Sequence, residues 1–217
     1  MAGGVAPSSG RRKPTGGARQ KPLAPFIGRL PHAPRNVDAQ SIGRRRQGGS
    51  SSRKPSALFI GRFQPLHKGH LSALLWIARQ SARVFVVIGS SQEKRTEKNP
   101  FSARQRLSMM RAVLKRGGLA RKCRVFLLSD IPNDYEWVSY LDAHVPRYDI
   151  CYSNNALVLK LMRRSGKKVM RVPLLARAKY RGEKIRGRMR AGKEWESRVP
   201  KKVQERIKAR KIGKKSA

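Results

Sequence analysis

The sequence predicts an α/β protein: a Rossmann-like parallel sheet of about five strands with helices on both faces. Three observations point there. Five short apolar runs are rich in β-branched and aromatic residues, stretches of helical periodicity separate them, and a glycine-containing turn follows the first run. Strand and helix in alternation imply right-handed βαβ units and a sheet covered on both sides.

The apolar runs lie at 57–61, 84–89, 123–128, 148–152 and 169–173. Between the first two, Leu71, Leu74, Leu75 and Ala78 mark one helical face, and Leu107, Met110, Val113 and Leu114 mark a second helix before the third run. Ser102 followed by Gln105 resembles a capping box opening that second helix, and Gly117-Gly118 supplies its stop. Trp137, Val138, Leu141 and Val145 suggest a third helix, and Leu157, Leu161 and Met162 ahead of Gly166 a fourth. At the C-terminal end, Val203 and Ile207 stand at i,i+4 in a helix that either packs or forms an interface. Open parallel sheets bind ligands outside the carboxyl ends of their strands, where the strand order reverses. The loops after the first and fourth strands are therefore where a site is expected.

Composition bounds the rest. The 217 residues suit one catalytic domain with a tail, and the hydrophobic share of 39% implies that part of the chain joins no core. Residues 1–56 are rich in Gly, Pro, Ser and Arg, with twelve Lys and Arg against Asp38, a net +11. They cannot bury enough apolar surface to offset ordering entropy and are expected to form a disordered basic extension. The folded domain, 57–217, carries 39 basic against 11 acidic residues and is itself strongly basic. Such a field attracts polyanions, so non-specific polyanion or RNA contact through the tail is expected. Cys123 and Cys151 sit in separate apolar runs without metal spacing and read as buried thiols in a reducing compartment. The chain shows neither a span of about 20 apolar residues nor a secretory signal, which predicts a soluble cytoplasmic protein with no membrane span.

The first strand runs into Gly61-Arg62-Phe63-Gln64-Pro65-Leu66-His67-Lys68-Gly69-His70. A strand-to-helix turn aims free backbone N–H groups and the positive end of a helix dipole at whatever lies above it, which favours a phosphate. His67 and His70, three apart, share a face at that end, and Gly69 keeps a Cβ away from an approaching ligand. A zinc pair would need i,i+4 spacing and a third ligand, so no protein metal site is predicted.

This ten-residue string resembles the His-x-Gly-His signature of the nucleotidyltransferase superfamily, in the variant of the archaeal-type nicotinamide-mononucleotide adenylyltransferases. The similarity continues through Ile88-Gly89-Ser90-Ser91-Gln92, Asn99-Pro100-Phe101-Ser102-Ala103 with Arg106, Asp130-Ile131 with Trp137-Val138, and Tyr152-Ser153-Asn154-Asn155. It covers roughly residues 57–207, and the tail has no counterpart in it.

The resemblance implies transfer of AMP from ATP to nicotinamide mononucleotide, giving NAD and pyrophosphate. It assigns His67, His70, Arg62 and Arg186 to the phosphates and the transition state. It assigns Gly61, Phe63, Gln64, Gly69, Ser153, Asn154, Gly182 and Ile185 to ATP, and Trp137, Asn133 and Lys98 to nicotinamide mononucleotide. Mg²⁺ would accompany ATP, held mainly by substrate oxygens and water. A homo-oligomer is also implied. Three departures from the family pattern stand out. Its late Ser-Gly-Thr-x-Ile/Val-Arg motif reads Arg181-Gly182-Glu183-Lys184-Ile185-Arg186 here, so a hydroxyl cap and phosphate donor are replaced by a guanidinium and a carboxylate. The family's asparagine upstream of the tryptophan aligns with Asp134, one position from Asn133, and its Ser-Gly-Asn-Pro has become Ser153-Asn154-Asn155-Ala156. Two other readings remain: a transferase of the same fold acting on a flavin, pantetheine or glycerol phosphate, and a basic RNA-binding protein with weakened catalysis.

Overall fold

The computed structural model describes residues 53–173, 176 and 178–212. The expected disordered extension falls, up to residue 52, outside the described residues. Among the described residues, five strands form one sheet: β1 (Ser56–Gly61), β2 (Arg83–Ile88), β3 (Cys123–Leu127), β4 (Ile150–Tyr152) and β5 (Val169–Met170). Their order is β3-β2-β1-β4-β5 and every pairing is parallel. After β3 the chain crosses back to the other side of β1, so the order reverses between β1 and β4.

The described residues also form six α-helices, which cover the sheet: α1 (Lys68–Gln80), α2 (Ala103–Arg116), α3 (Trp137–His144), α4 (Ala156–Arg164), α5 (Gly182–Arg190) and α6 (Lys201–Ile212). Strand side chains alternate between the two faces, as their period of two requires. Ala57 and Phe59 of β1, with Val84, Val86 and Ile88 of β2, pack beneath α1, α2 and α6. Leu58, Ile60, Phe85 and Val87 pack beneath α3 and α4.

The predicted elements are present, with informative shifts. The Ser102 and Gln105 capping box opens α2, and Gly117 caps its end. Cys123 and Cys151 are buried free thiols. On α1 the buried residues are Ala73, Leu74, Ile77 and Ala78, whereas Leu75 is 37% exposed. The small Ala73 and Ala78 let the helix lie close to the sheet, while Trp76 packs edge-on against Tyr152 at 5.9 Å. β5 stops at Met170 rather than continuing to 173, because the Asn154 side chain takes over the pairing: Nδ2 donates to the Val172 carbonyl (3.0 Å) and Oδ1 accepts from the Val172 N–H (3.3 Å). Val203 and Ile207 of α6 are buried in the core beside α2.

The strand start is tied on both sides. The Ser56 N–H and hydroxyl donate to Asp149 Oδ2 at 2.6 and 2.8 Å, and these bonds hold the Asp149 carboxyl below its ordinary range. The Ala82 N–H donates to the Pro55 carbonyl at 2.8 Å. Deleting residues 1–52 is therefore expected to leave the melting temperature within about 2 °C, below the effect of a 1 kcal/mol change. A cut after residue 55 removes the Pro55 carbonyl and lowers it further. Thermal melts of the two truncations against the full chain check this.

Candidate active site

The turn after β1 is shaped from below. Phe63 turns into the core with φ of 50°, is 1% exposed, and packs so closely under Gly61 that a Cβ there would lie 3.1 Å from the Phe63 ring. Gln64 is buried, and its amide is paired in both directions with the Phe101 backbone: Nε2 donates to the carbonyl at 2.7 Å and Oε1 accepts from the N–H at 3.0 Å. Both residues were expected at ATP, yet neither lines the cleft above. They set the path of the chain that carries the histidines.

His67 is the N-cap of α1 and His70 its third residue. Each ring caps the other's backbone. His67 Nδ1 accepts from the His70 N–H at 3.2 Å, and His70 Nδ1 accepts from the His67 N–H at 3.4 Å. The rings stack at 3.5 Å and 15°, and Phe63 meets the His70 ring edge-on at 4.9 Å. A neutral imidazole that accepts at Nδ1 carries its proton at Nε2, so the hydrogen-bond pattern assigns this tautomer to both rings. Burial holds His67 down to about 4, and burial followed by the neighbouring His67 holds His70 well below its ordinary value. At neutral pH the site therefore presents two uncharged Nε2–H donors at the positive end of a 13-residue helix.

A stability consequence follows. Unfolded histidines titrate near 6.5, whereas these two resist protonation in the fold, so the unfolded state binds more protons as the pH falls. The stabilisation they contribute is complete above about 6.5 and is lost as the pH falls through that value toward 4. Urea unfolding of wild type should show a lower midpoint at pH 5 than at pH 7.5, and substituting both histidines should shrink the difference.

The cleft encloses about 630 Å³ above the carboxyl ends of β1 and β4. Gly61, Arg62, His67, Gly69 and His70 line one side, Ser153 and Asn154 another, and Gly182 with Arg181 and Glu183 a third. Gly69 has a tighter role than clearance for a ligand: a Cβ there would meet Tyr180 Cβ at 3.0 Å and the His67 ring at 3.1 Å. Gly182 similarly lies against the Gln64 carbonyl and Arg186 Nη1, each 3.3 Å from a built Cβ. Arg186 Nη1 donates to the Gln64 carbonyl at 2.9 Å, which ties α5 to the histidine turn. Ile185 is fully buried beneath it, and neither Ile185 nor Arg186 lines the cleft. Arg181 occupies the N-cap of α5 without a side-chain cap bond, and Glu183 lies in the first turn.

At the far end, Trp137 lines the cleft where α3 begins. Asn133 does not line it. Its amide closes a local turn, accepting from the Tyr135 N–H and donating to Glu136 Oε1, both at 2.9 Å. Asp134 lines the cleft in its stead, and Lys98 is exposed on a loop and does not line it. Ser153 is buried and its hydroxyl accepts from the Asn155 N–H at 3.1 Å, while Asn155 caps α4. Tyr180 lines the cleft without having been singled out from the sequence, and Asp130, quoted there within the family similarity but given no role, lines it too. Tyr180 immediately precedes the late motif, which is the one signal that could have marked it.

Comparison with known proteins agrees with this geometry. Residues 58–188 match the family model described as cytidylyltransferase-like. The chain is 41% identical to the nicotinamide-nucleotide adenylyltransferase of Pyrococcus furiosus over 148 residues, 67% of this chain and 79% of that protein. It is likewise 41% identical to the nicotinamide-nucleotide adenylyltransferase of Methanolobus tindarius over 141 residues, 65% of this chain and 80% of that protein. The chain belongs to the archaeal-type nicotinamide-nucleotide adenylyltransferases. Among solved structures, a bifunctional NMN adenylyltransferase/ADP ribose pyrophosphatase from Francisella tularensis shares the fold, with a TM-score of 0.57 and 23% identity. That match covers 66% of this chain and 44% of the other. Within this adenylyltransferase-family fold, the cleft lies where the strand order reverses, bounded by the starts of α1 and α5.

Proposed function

We infer that the chain is a nicotinamide-nucleotide adenylyltransferase, which transfers the adenylyl group of ATP to nicotinamide mononucleotide and releases pyrophosphate. The observation that carries the reading is the reciprocal His67/His70 cap, which leaves two Nε2–H donors at a helix start inside the cleft. In the reaction, an oxygen of the nicotinamide mononucleotide 5′-phosphate attacks the α-phosphorus of ATP. The bond from that phosphorus to the β-phosphate oxygen breaks, and pyrophosphate leaves with the electron pair. The nucleophile's second pKa is about 6, so at neutral pH it is already mostly dianionic and needs no general base. What the protein must supply is alignment of two anions and stabilisation of the charge that develops between them.

His67, His70 and Arg62 are the groups placed for that work, with Arg186 holding the turn from behind. Ser153 and Asn154, on the cleft wall after β4, would meet the adenosine side. Trp137, an electron-rich ring, would stack on the cationic nicotinamide. Mg²⁺ accompanying ATP would supply neutralisation of phosphate charge, held mainly by substrate oxygens and water, with the Asp130 carboxylate in the cleft lining one protein group available to it. No helix among the described residues is long and apolar enough to cross a membrane. Cytoplasmic residence, a homo-oligomeric assembly and polyanion contact through the basic extension complete the proposal. Assay of the purified chain with ATP, nicotinamide mononucleotide and Mg²⁺ tests it.

The late motif yields a separate prediction. Glu183 places a carboxylate at the start of α5 on the cleft wall, where it repels a polyphosphate, and Arg181 leaves the helix start without a side-chain cap. Glu183→Thr combined with Arg181→Ser is expected to lower KM for ATP or raise kcat. The gain is bounded by one hydrogen bond to a charged group, about 1.5 to 3 kcal/mol. Steady-state kinetics of the double variant decide: a fall in kcat/KM for ATP would show instead that Arg181 reaches the phosphates itself.

A further inference from the structure

A positive charge lies beneath the cleft floor that the mechanism above does not use. Arg106, on α2, is 1% exposed and sends its guanidinium back under the carboxyl ends of β1 and β2. Nη1 donates to the Arg62 carbonyl at 3.0 Å and to the Gly89 carbonyl at 2.7 Å, and Nη2 donates to the Ser90 carbonyl at 2.8 Å. Nε is buried without a hydrogen-bond partner. Every acceptor of this guanidinium is a main-chain carbonyl, and among the described residues it forms no ion pair with a carboxylate.

A buried cation without an ion-pair partner is costly, and tying two loops together does not require a formal charge. Its location is the informative feature. Arg62, Gly89 and Ser90, the three residues it holds, all line the cleft, and Ser90 is kept in the left-handed region with φ of 50°, which a side-chain-bearing residue adopts at a cost. Burial lowers the guanidinium's proton affinity, Asp130 opposes that effect, and the nearby Arg62 reinforces it. The charge is thus placed where a polyphosphate would neutralise it.

We propose that Arg106 is a positioning residue for the polyphosphate. Its fork fixes the Arg62 turn against the Gly89–Ser90 turn, and its buried charge strengthens the field at the cleft floor. The proposal rests on the cleft's being a nucleotide site. The expected signature is selective for charge. In the full chain, Arg106→Met should weaken binding of tripolyphosphate, measured by calorimetry, about tenfold, which is about 1.4 kcal/mol. Binding of uncharged adenosine should stay within about twofold, because the deep charge acts on phosphates and not on the base. Arg106→Lys keeps the charge but loses the planar fork. Tripolyphosphate affinity should then hold within about threefold while kcat for NAD formation falls about tenfold through misplacement of Arg62.

Equal losses for tripolyphosphate and adenosine in Arg106→Met, or unchanged tripolyphosphate binding, would overturn the proposal in favour of a purely structural arginine. If Arg106→Met does not fold, the lysine variant decides. Retained tripolyphosphate affinity with lowered kcat supports the proposal, and loss of both or of neither overturns it. Wild-type protein that binds tripolyphosphate yet makes no NAD would refute the proposed reaction while leaving this inference standing. Wild-type protein that binds no tripolyphosphate would refute the inference itself.

Discussion

Replacing His70 by alanine is expected to lower kcat by about 10² or more while the fold survives. Loss of one preorganised donor at a developing charge typically costs that much. In this chain the substitution removes two things at once. The Nε2–H donor disappears, and so does the Nδ1 acceptor that caps the His67 N–H at 3.4 Å. The second loss resembles removal of an N-cap and should cost about 1 kcal/mol of stability. It also frees the His67 ring from its stacking partner at 3.5 Å. Circular dichroism and thermal melts separate the two effects from turnover. A folded His70→Ala protein with near-normal kcat would show that the pair serves only to start the helix.

The second large effect is expected at Gly69. An alanine Cβ there would meet Tyr180 Cβ at 3.0 Å and His67 ring atoms at 3.1 and 3.2 Å. The ring cannot retreat freely, because His70 stacks on it and Phe63 backs His70. Relief must come from displacement of His67 or of the Tyr180 segment. A shift of about 1 Å in a group that orients reactants can cost about 10² in rate. Gly69→Ala should therefore lower kcat by about tenfold to a hundredfold. Steady-state kinetics with saturating ATP check this, and unchanged kcat would mean that Tyr180 yields instead.

The fold was legible because the buried central strands β1, β2 and β4 are nearly continuous apolar runs, and the half-exposed edge strands β3 and β5 still carry short β-branched or aromatic runs. Strand ends were less legible. β5 is cut short by the Asn154 side chain, which pairs with Val172 across 18 residues. The histidine pair could be found because its chemistry is local: strand, turn, helix start. Its tautomers could not, since they follow from a reciprocal cap visible only in three dimensions. Gln64 and Arg106 show the same limit. Gln64 bonds a backbone 37 residues away, and Arg106 bonds carbonyls 44, 17 and 16 residues away, so no local pattern announces either contact. Asn133 failed to reach the cleft because a nearer turn captured its amide. Phe63, conspicuous in the motif, acts from beneath.

Incubation of the purified full chain with ATP, nicotinamide mononucleotide and Mg²⁺ tests the central claim most directly. NAD and pyrophosphate should appear in equal amounts, and neither should form when nicotinamide mononucleotide is omitted. A folded protein that makes no NAD, or that transfers AMP to pantetheine or flavin phosphate but not to nicotinamide mononucleotide, would contradict it.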